Sequence, residues 1–206
     1  ARSWQNQVGL KKVISHFSNQ FYYLIRSNEK RGEGNVNFNP FSIDEENLLS
    51  LDNQIRNSFF FNRGLQKYST GYIYSEGRKK NFFLIDDQDL SVQNHQIIFN
   101  HRFNTFWLFE MNGDLGKTIS DSDLFPNRNY EIETLLFKPG VSYLISNQLK
   151  FDLNYQYKDK ENKQADFENL QSHNFGASGN WANENKFNLI GSINYIINEF
   201  EGNANS

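Results

Sequence analysis

An all-β fold, an antiparallel transmembrane β-barrel of about ten meander strands in a single domain over 1–206, is what this sequence predicts, and three observations carry it. The first is alternation. In residues 147–160, NQLKFDLNYQYKDK, Leu149, Phe151, Leu153, Tyr155 and Tyr157 alternate with Lys150, Asp152, Asn154, Gln156 and Lys158. Successive side chains of a strand point to opposite faces, so this segment has one apolar and one wet face. The second is length. Such segments exceed the roughly 5–6 residues of an ordinary globular strand and reach the roughly 9–11 of a membrane-crossing one. The third is the sorting of connections into alternately short and long, as in outer-membrane barrels.

Taken in order, residues 4–15 alternate with Trp4, Val8, Leu10 and Ile14 on one parity, and 16–19 form a short link into a strand at 20–27. A long polar connection, 28–47, follows. Segment 48–61 places Leu49, Leu51, Ile55, Phe59 and Phe61 on one face, and NRG turns it into 66–77, which carries Tyr68, Tyr72 and Tyr74. Residues 76–89 mix EGRKKN with FFLI and read as a long loop or a strand extension. Segment 90–103 aligns Ile97, Phe99, His101 and Phe103. Two or three residues later, 104–117 sets Trp107, Phe109, Met111 and Leu115 against Leu108, Glu110, Asn112 and Asp114.

Residues 118–129 read as a polar loop before a strand at 130–146 with Phe137, Val141, Tyr143 and Ile145 on one face. SNQ is a tight turn into the strand described first. Residues 159–169 read as a charged loop. Segment 170–182 aligns Phe175, Ala177, Gly179 and Trp181. ANEN turns into 186–199, where Phe187, Leu189, Ile193, Tyr195 and Ile197 oppose Asn188, Ser192, Asn194 and Asn198.

Half of each strand of a membrane barrel faces a polar lumen and half faces lipid. The lumen-facing set is expected to include Glu110, Asn112, Asp114, Lys150, Asp152, Asn154, Gln156, Asn188, Ser192 and Asn194. The lipid-facing set is Trp107, Phe109, Met111, Leu149, Phe151, Leu153, Tyr155, Tyr157, Phe187, Leu189, Ile193 and Tyr195. The aromatic residues fall into two bands. Tyr72, Tyr74, Tyr155, Tyr157 and Tyr195 lie toward the long connections, and Phe103, Trp107, Trp181 and Phe187 toward the short ones, as rings at two membrane interfaces would.

Composition narrows the classes further. There is no cysteine, so disulfides and thiolate metal sites are excluded. The net charge of −3 carries no long run of one sign, and no nucleic-acid surface is expected. No apolar run approaches the roughly 20 residues of a membrane helix. The start, ARSWQNQVGL, has neither the basic opening nor the apolar core of a secretory leader. Removal of a leader, or membership of a longer protein, is the expectation.

Segments such as KFDLNYQYKD and KFNLIGSINYIINEF, joined by turns like SNQ, resemble bacterial outer-membrane β-barrel proteins. The resemblance is to the barrel portions of large transport or secretion proteins rich in asparagine and aromatic residues. It covers most of 48–200 and concerns architecture, since no functional motif matches a particular member. It implies an integral, porin-like location in the bacterial outer membrane, where the barrel acts as conduit or scaffold. It also implies contact with the lipid bilayer, other outer-membrane or periplasmic subunits as partners, and no cofactor. One feature departs from the pattern: such barrels usually end on an aromatic residue, and this chain ends EFEGNANS. Ten strands with short turns on the periplasmic side would also leave both ends outside, so a segment of a longer barrel, or further strands, is expected.

The chemistry-bearing residues are few. His16, His95, His101 and His173 are the only histidines; His95 and His101, six apart, lie about 20 Å apart along a strand and cannot share a metal unaided. Glu110, Asp114 and Asp152 share the expected interior with Lys138, Lys150 and Lys158, a set that suits ion pairs lining a lumen better than an acid–base pair. Arg78, Lys79 and Lys80 read as a solvated loop. No catalytic or metal-ligating residue is assigned, and the chain is not expected to be an enzyme. The alternatives are a barrel enzyme of protease or lipid-modifying type, which would need a Ser–His–acid set at one rim, and a soluble all-β binding module.

Overall fold

The computed structural model describes residues 14, 16–29, 48–63, 67–82, 87–122, 124–146, 148–164, 168–183 and 187–202. They form one antiparallel sheet of nine strands: β1 (Phe17–Glu29), β2 (Leu48–Phe61), β3 (Tyr68–Phe82), β4 (Asp87–Arg102), β5 (Trp107–Ser122), β6 (Tyr130–Ser146), β7 (Leu149–Asn162), β8 (Glu168–Asn183) and β9 (Phe187–Glu201). The order in the sheet is the order in the chain, so every neighbour is a hairpin partner. The sheet is open: β1 and β9 are its two edges. The strand expected over 4–15 lies outside the described residues except for Ile14, which has helical rather than extended geometry.

The strands at 48–61 and 130–146 fall where the alternation places them. Residues 76–89 follow the strand-extension reading: β3 continues to Phe82 and β4 starts at Asp87. The stretches 118–129 and 159–169, read as loops, are strand in part: β5 runs to Ser122, β7 to Asn162, and β8 starts at Glu168. Likewise Phe17–Asn19, read as a link, pairs with Phe61–Phe59. Cross-strand charge replaces apolar alternation in these extensions. Lys80 meets Asp87 at 3.3 Å and Lys117 meets Glu131 at 2.5 Å; Lys163 meets Glu133 across the strands at 3.7 Å and Glu161, two residues before it, at 2.6 Å. The Glu161 carboxylate holds the Lys163 ammonium above the usual lysine range. Polar composition therefore marks the end of the apolar band, not the end of backbone pairing. The expected division into short and long links softens as a result: 83–86 is no longer than 103–106, and 30–47 alone is much longer than the rest.

The tight links have local chemical causes. Asn62 takes a positive φ of 58°, a conformation asparagine tolerates, and its N–H donates to the His16 carbonyl at 2.8 Å. Between β4 and β5, Asn104 Oδ1 accepts the N–H groups of Phe106 and Trp107 at 2.8 and 2.9 Å, an Asx-type turn. Between β5 and β6, Pro126–Arg128 form a 3-10 turn that Asn129 secures by accepting the Ser122 N–H at 2.7 Å.

The register divides the sheet into two faces that persist across all nine strands. One rung reads Trp107–Tyr143–Phe151–Gly179–Gly191, and the next toward the middle reads His101–Phe109–Val141–Leu153–Ala177–Ile193. The intervening rung, Leu108–Ser142–Asp152–Ser178–Ser192, belongs to the other face. Shelter is one-sided. Ser50, Ser58, Ile73, Ser120, Ser122 and Ser142 are buried, and all lie on the polar face. The large exposed side chains concentrate on the apolar face, with Ile193 75% and Phe21 66% exposed.

Candidate functional site

The polar face is where the sequence places candidate function, and the register gathers that set. Glu110, Asn112, Asp114, Lys150, Asp152, Asn154, Gln156, Asn188, Ser192 and Asn194 all lie on it. Trp107, Phe109, Met111, Leu149, Phe151, Leu153, Tyr155, Tyr157, Phe187, Leu189, Ile193 and Tyr195 all lie on the other. Some apolar side chains share the polar face, among them Ile73, Ile98 and Leu136.

Small hydroxyls tie the polar face together strand to strand. Asn28 donates to Ser50 at 2.9 Å, Asn100 to Ser69 at 3.3 Å and Gln88 to Ser120 at 3.3 Å. Asp152 is the most connected group. Its Oδ1 accepts the Ser142 hydroxyl at 2.5 Å and lies 2.7 Å from Lys150 Nζ, with Ser178 opposite on β8. Beside it, Gly176 leaves room for a close approach: a Cβ there would meet Asn154 Oδ1 at 2.6 Å and Asn194 Oδ1 at 2.9 Å, and those amides would have to turn away. The glycine lets two amides from β7 and β9 converge over β8. Parity finds Asp152, Asn154 and Asn194 but misses Ser142, Ser178 and Gly176, whose role appears only once the register is fixed.

The apolar face holds a second arrangement that alternation alone does not show. On β3, Tyr72 and Tyr74 precede Glu76 at intervals of two; on β4, Gln93 and His95 stand opposite Glu76 and Tyr74. On β7, Tyr155, Tyr157 and Asp159 repeat the pattern, and on β8 Gln171 and His173 stand opposite Asp159 and Tyr157. Tyr72 Oη lies 2.7 Å from His95 Nδ1, and Tyr155 Oη lies 2.8 Å from His173 Nδ1. The second tyrosine of each set packs on its histidine with ring centroids 5.1 Å apart. A Tyr-x-Tyr-x-acid strand beside a Gln-x-His strand thus occurs twice, four strands apart. The signal is in the sequence, as YIYSE with QNH and YQYKD with QSH.

No family model, curated protein or solved structure matches this chain.

Beyond these tyrosines the apolar face turns charged. Glu76–Arg78, Lys117–Glu131 and Lys163–Glu161 form a collar at the ends of β3, β5, β6 and β7. At the opposite ends sits a second aromatic band, with Trp107 on Tyr143 at 4.3 Å and Trp181 on Phe187 at 5.0 Å. Between the two bands the apolar run extends from Leu149 to Tyr157 on β7 and from Phe187 to Ile197 on β9. Each run is close to the roughly 9–11 residues with which a strand crosses a bilayer.

Chemically, the described residues of the polar face offer hydroxyl, amide and carboxylate groups that can line and bind. His95, His101 and His173 lie on the apolar face, whereas Ser142 and Asp152 pair on the polar one. Among the described residues, no three His, Asp or Glu side chains are grouped to hold a metal ion. No described helix is long and apolar enough to cross a membrane, which leaves crossing by strands as a separate matter.

Proposed function

We propose that this chain is the membrane-embedded part of a β-barrel of the bacterial outer membrane, serving as conduit or scaffold in transport or secretion. One observation carries the reading. A predominantly polar, sheltered face and a predominantly apolar, exposed face follow one parity across nine strands, and the apolar runs of β7 and β9 have the length of a bilayer crossing, with aromatic rings toward both ends of the sheet. In water an exposed apolar surface of this extent is a liability. In lipid it is the solvated surface, and the Asn-, Ser- and Gln-rich face becomes the lining of an aqueous interior. Partners among other outer-membrane or periplasmic subunits belong to the same proposal. Fractionation followed by carbonate extraction tests it. Retention in the extracted membrane pellet is the expected result, and recovery in the soluble fraction overturns the reading.

A further inference from the structure

We propose that the polar face of β6 and β7 carries an anion site built on Lys138, Lys158 and Lys160, with which the conduit selects multiply charged oxyanions. The site stands on the register of the sheet; its part in selecting a solute rests on the barrel reading above.

Charge is sorted by face on these two strands. The order Lys158, Asp159, Lys160, Glu161 sends both lysines to the polar face and both carboxylates to the apolar one. Lys138 and Lys150 join the polar face, and Glu131 and Glu133 the apolar face. Asp152 alone crosses the division, so here the polar face sets four lysines against one carboxylate. On the apolar face the carboxylates Glu131 and Glu161 have their own partners, Lys117 and Lys163. On the polar face Lys150 lies 2.7 Å from Asp152, which uses up the one carboxylate. Among the described residues, Lys138, Lys158 and Lys160 make no ion pair.

These three lysines are neighbours. Lys158 and Lys160 are two apart on β7, about 7 Å along the strand. Lys158 stands opposite Leu136, which makes Lys138 its diagonal neighbour on β6, about 7–8 Å away. Like charges gathered this way repel, and the adjoining strands do little to offset them. Asp114 on β5 stands opposite Leu136 and pairs with none of the three. The other neighbours are neutral donors: Gln156 on β7, and on β8 Ser172 opposite Lys158 and Asn174 opposite Gln156. Ammonium groups beside amide and hydroxyl donors suit oxygens that carry negative charge. Lysine acts as a point charge, so the patch selects for charge more than for one fixed shape. Positive groups lining a passage raise the local concentration of anions, as in anion-selective pores.

Binding of inorganic triphosphate to the purified chain, followed by calorimetry at low salt, tests the site. The chain is expected to bind, and the triple variant Lys138→Gln, Lys158→Gln, Lys160→Gln to bind about tenfold or more weakly. Lys158→Gln alone is expected to lose part of the affinity, and Lys117→Gln, on the apolar face, none. Urea unfolding gives a second readout. Without the anion the triple variant should resist urea better than the parent, because the repulsion is gone. Triphosphate should stabilise the parent and leave the triple variant unchanged. No binding by the parent, equal binding by the triple variant, or equal loss in Lys117→Gln overturns the site. Reversal potentials across a planar bilayer score the selection: preference for anions, lost in the triple variant, is expected. A pore that prefers cations, has no preference or does not conduct overturns the selection. Location is scored separately: a chain that binds triphosphate in the soluble fraction keeps the site and removes the membrane reading, and one that sits in the membrane without binding does the reverse.

Discussion

The Tyr155 hydroxyl lies 2.8 Å from Nδ1 of His173, and four strands away Tyr72 stands at 2.7 Å from His95 in the same arrangement. Each bond joins neighbouring strands on the apolar face, and the register offsets the two by one rung, with Tyr72 level with Tyr157. Each satisfies polar atoms where apolar surface gives way to charge. Tyr72→Phe and Tyr155→Phe are expected to cost similar amounts, about 0.5–1.5 kcal/mol each, the usual net value of one hydrogen bond. The sites share no partner, so the double variant should equal the sum within about 0.5 kcal/mol. Urea unfolding in detergent micelles measures all three.

Gly176 and Gly191 form a matched pair of glycines with opposite expectations. A Cβ at Gly176 meets the Asn154 and Asn194 amides below 3.0 Å, whereas one at Gly191 meets nothing within 4 Å. Gly176→Ala makes the Asn154 and Asn194 amide ends turn away and should destabilise by about 1 kcal/mol. Gly191→Ala should stay within about 0.5 kcal/mol. Adding Asn154→Ala to Gly176→Ala should recover part of the loss. The same unfolding assay decides, and equal costs at the two glycines would contradict the packing described.

At Asp152 the expected pattern is one of partnership rather than of charge alone. Asp152→Ala leaves the buried Ser142 hydroxyl without its acceptor and should cost about 1 kcal/mol. Ser142→Ala with Asp152→Ala removes both partners and should cost less than the sum of the singles. The Lys150 contact adds little, since that side chain is 44% exposed. A double-variant cycle gives the coupling directly.

Much of this architecture is legible in the amino-acid sequence. Parity in the stretches around Leu153, Phe109 and Ile193 assigns faces that the register reproduces, because a period of two survives any choice of neighbour. What parity cannot give is extent. Arg78, Lys117 and Glu161 break the apolar pattern, yet the backbone ladder continues past them to Phe82, Ser122 and Asn162. Nor can it give neighbours. Ser142 beside Asp152, Gly176 beneath Asn154 and His173 beside Tyr155 depend on which residues of adjacent strands stand opposite, a non-local fact that composition does not encode.

Facing can be tested on adjacent residues of one strand. Ile193 and Asn194 follow each other on β9 and project from opposite faces. If the apolar face meets lipid, Ile193→Arg should cost about 2–4 kcal/mol near the bilayer middle. Asn194→Arg, on the polar face, should cost about 0.5 kcal/mol. Refolding into liposomes under a urea series measures both. Equal damage from the two would point to a packed protein core on the outer side.

The most direct test of the membrane-barrel account is gel migration of the native protein from a membrane fraction, unboiled against boiled. A closed barrel of paired strands resists the detergent until heated, so the account predicts a compact, faster band that shifts on boiling. Protein found in the soluble fraction, with one band unchanged by heat, would contradict it.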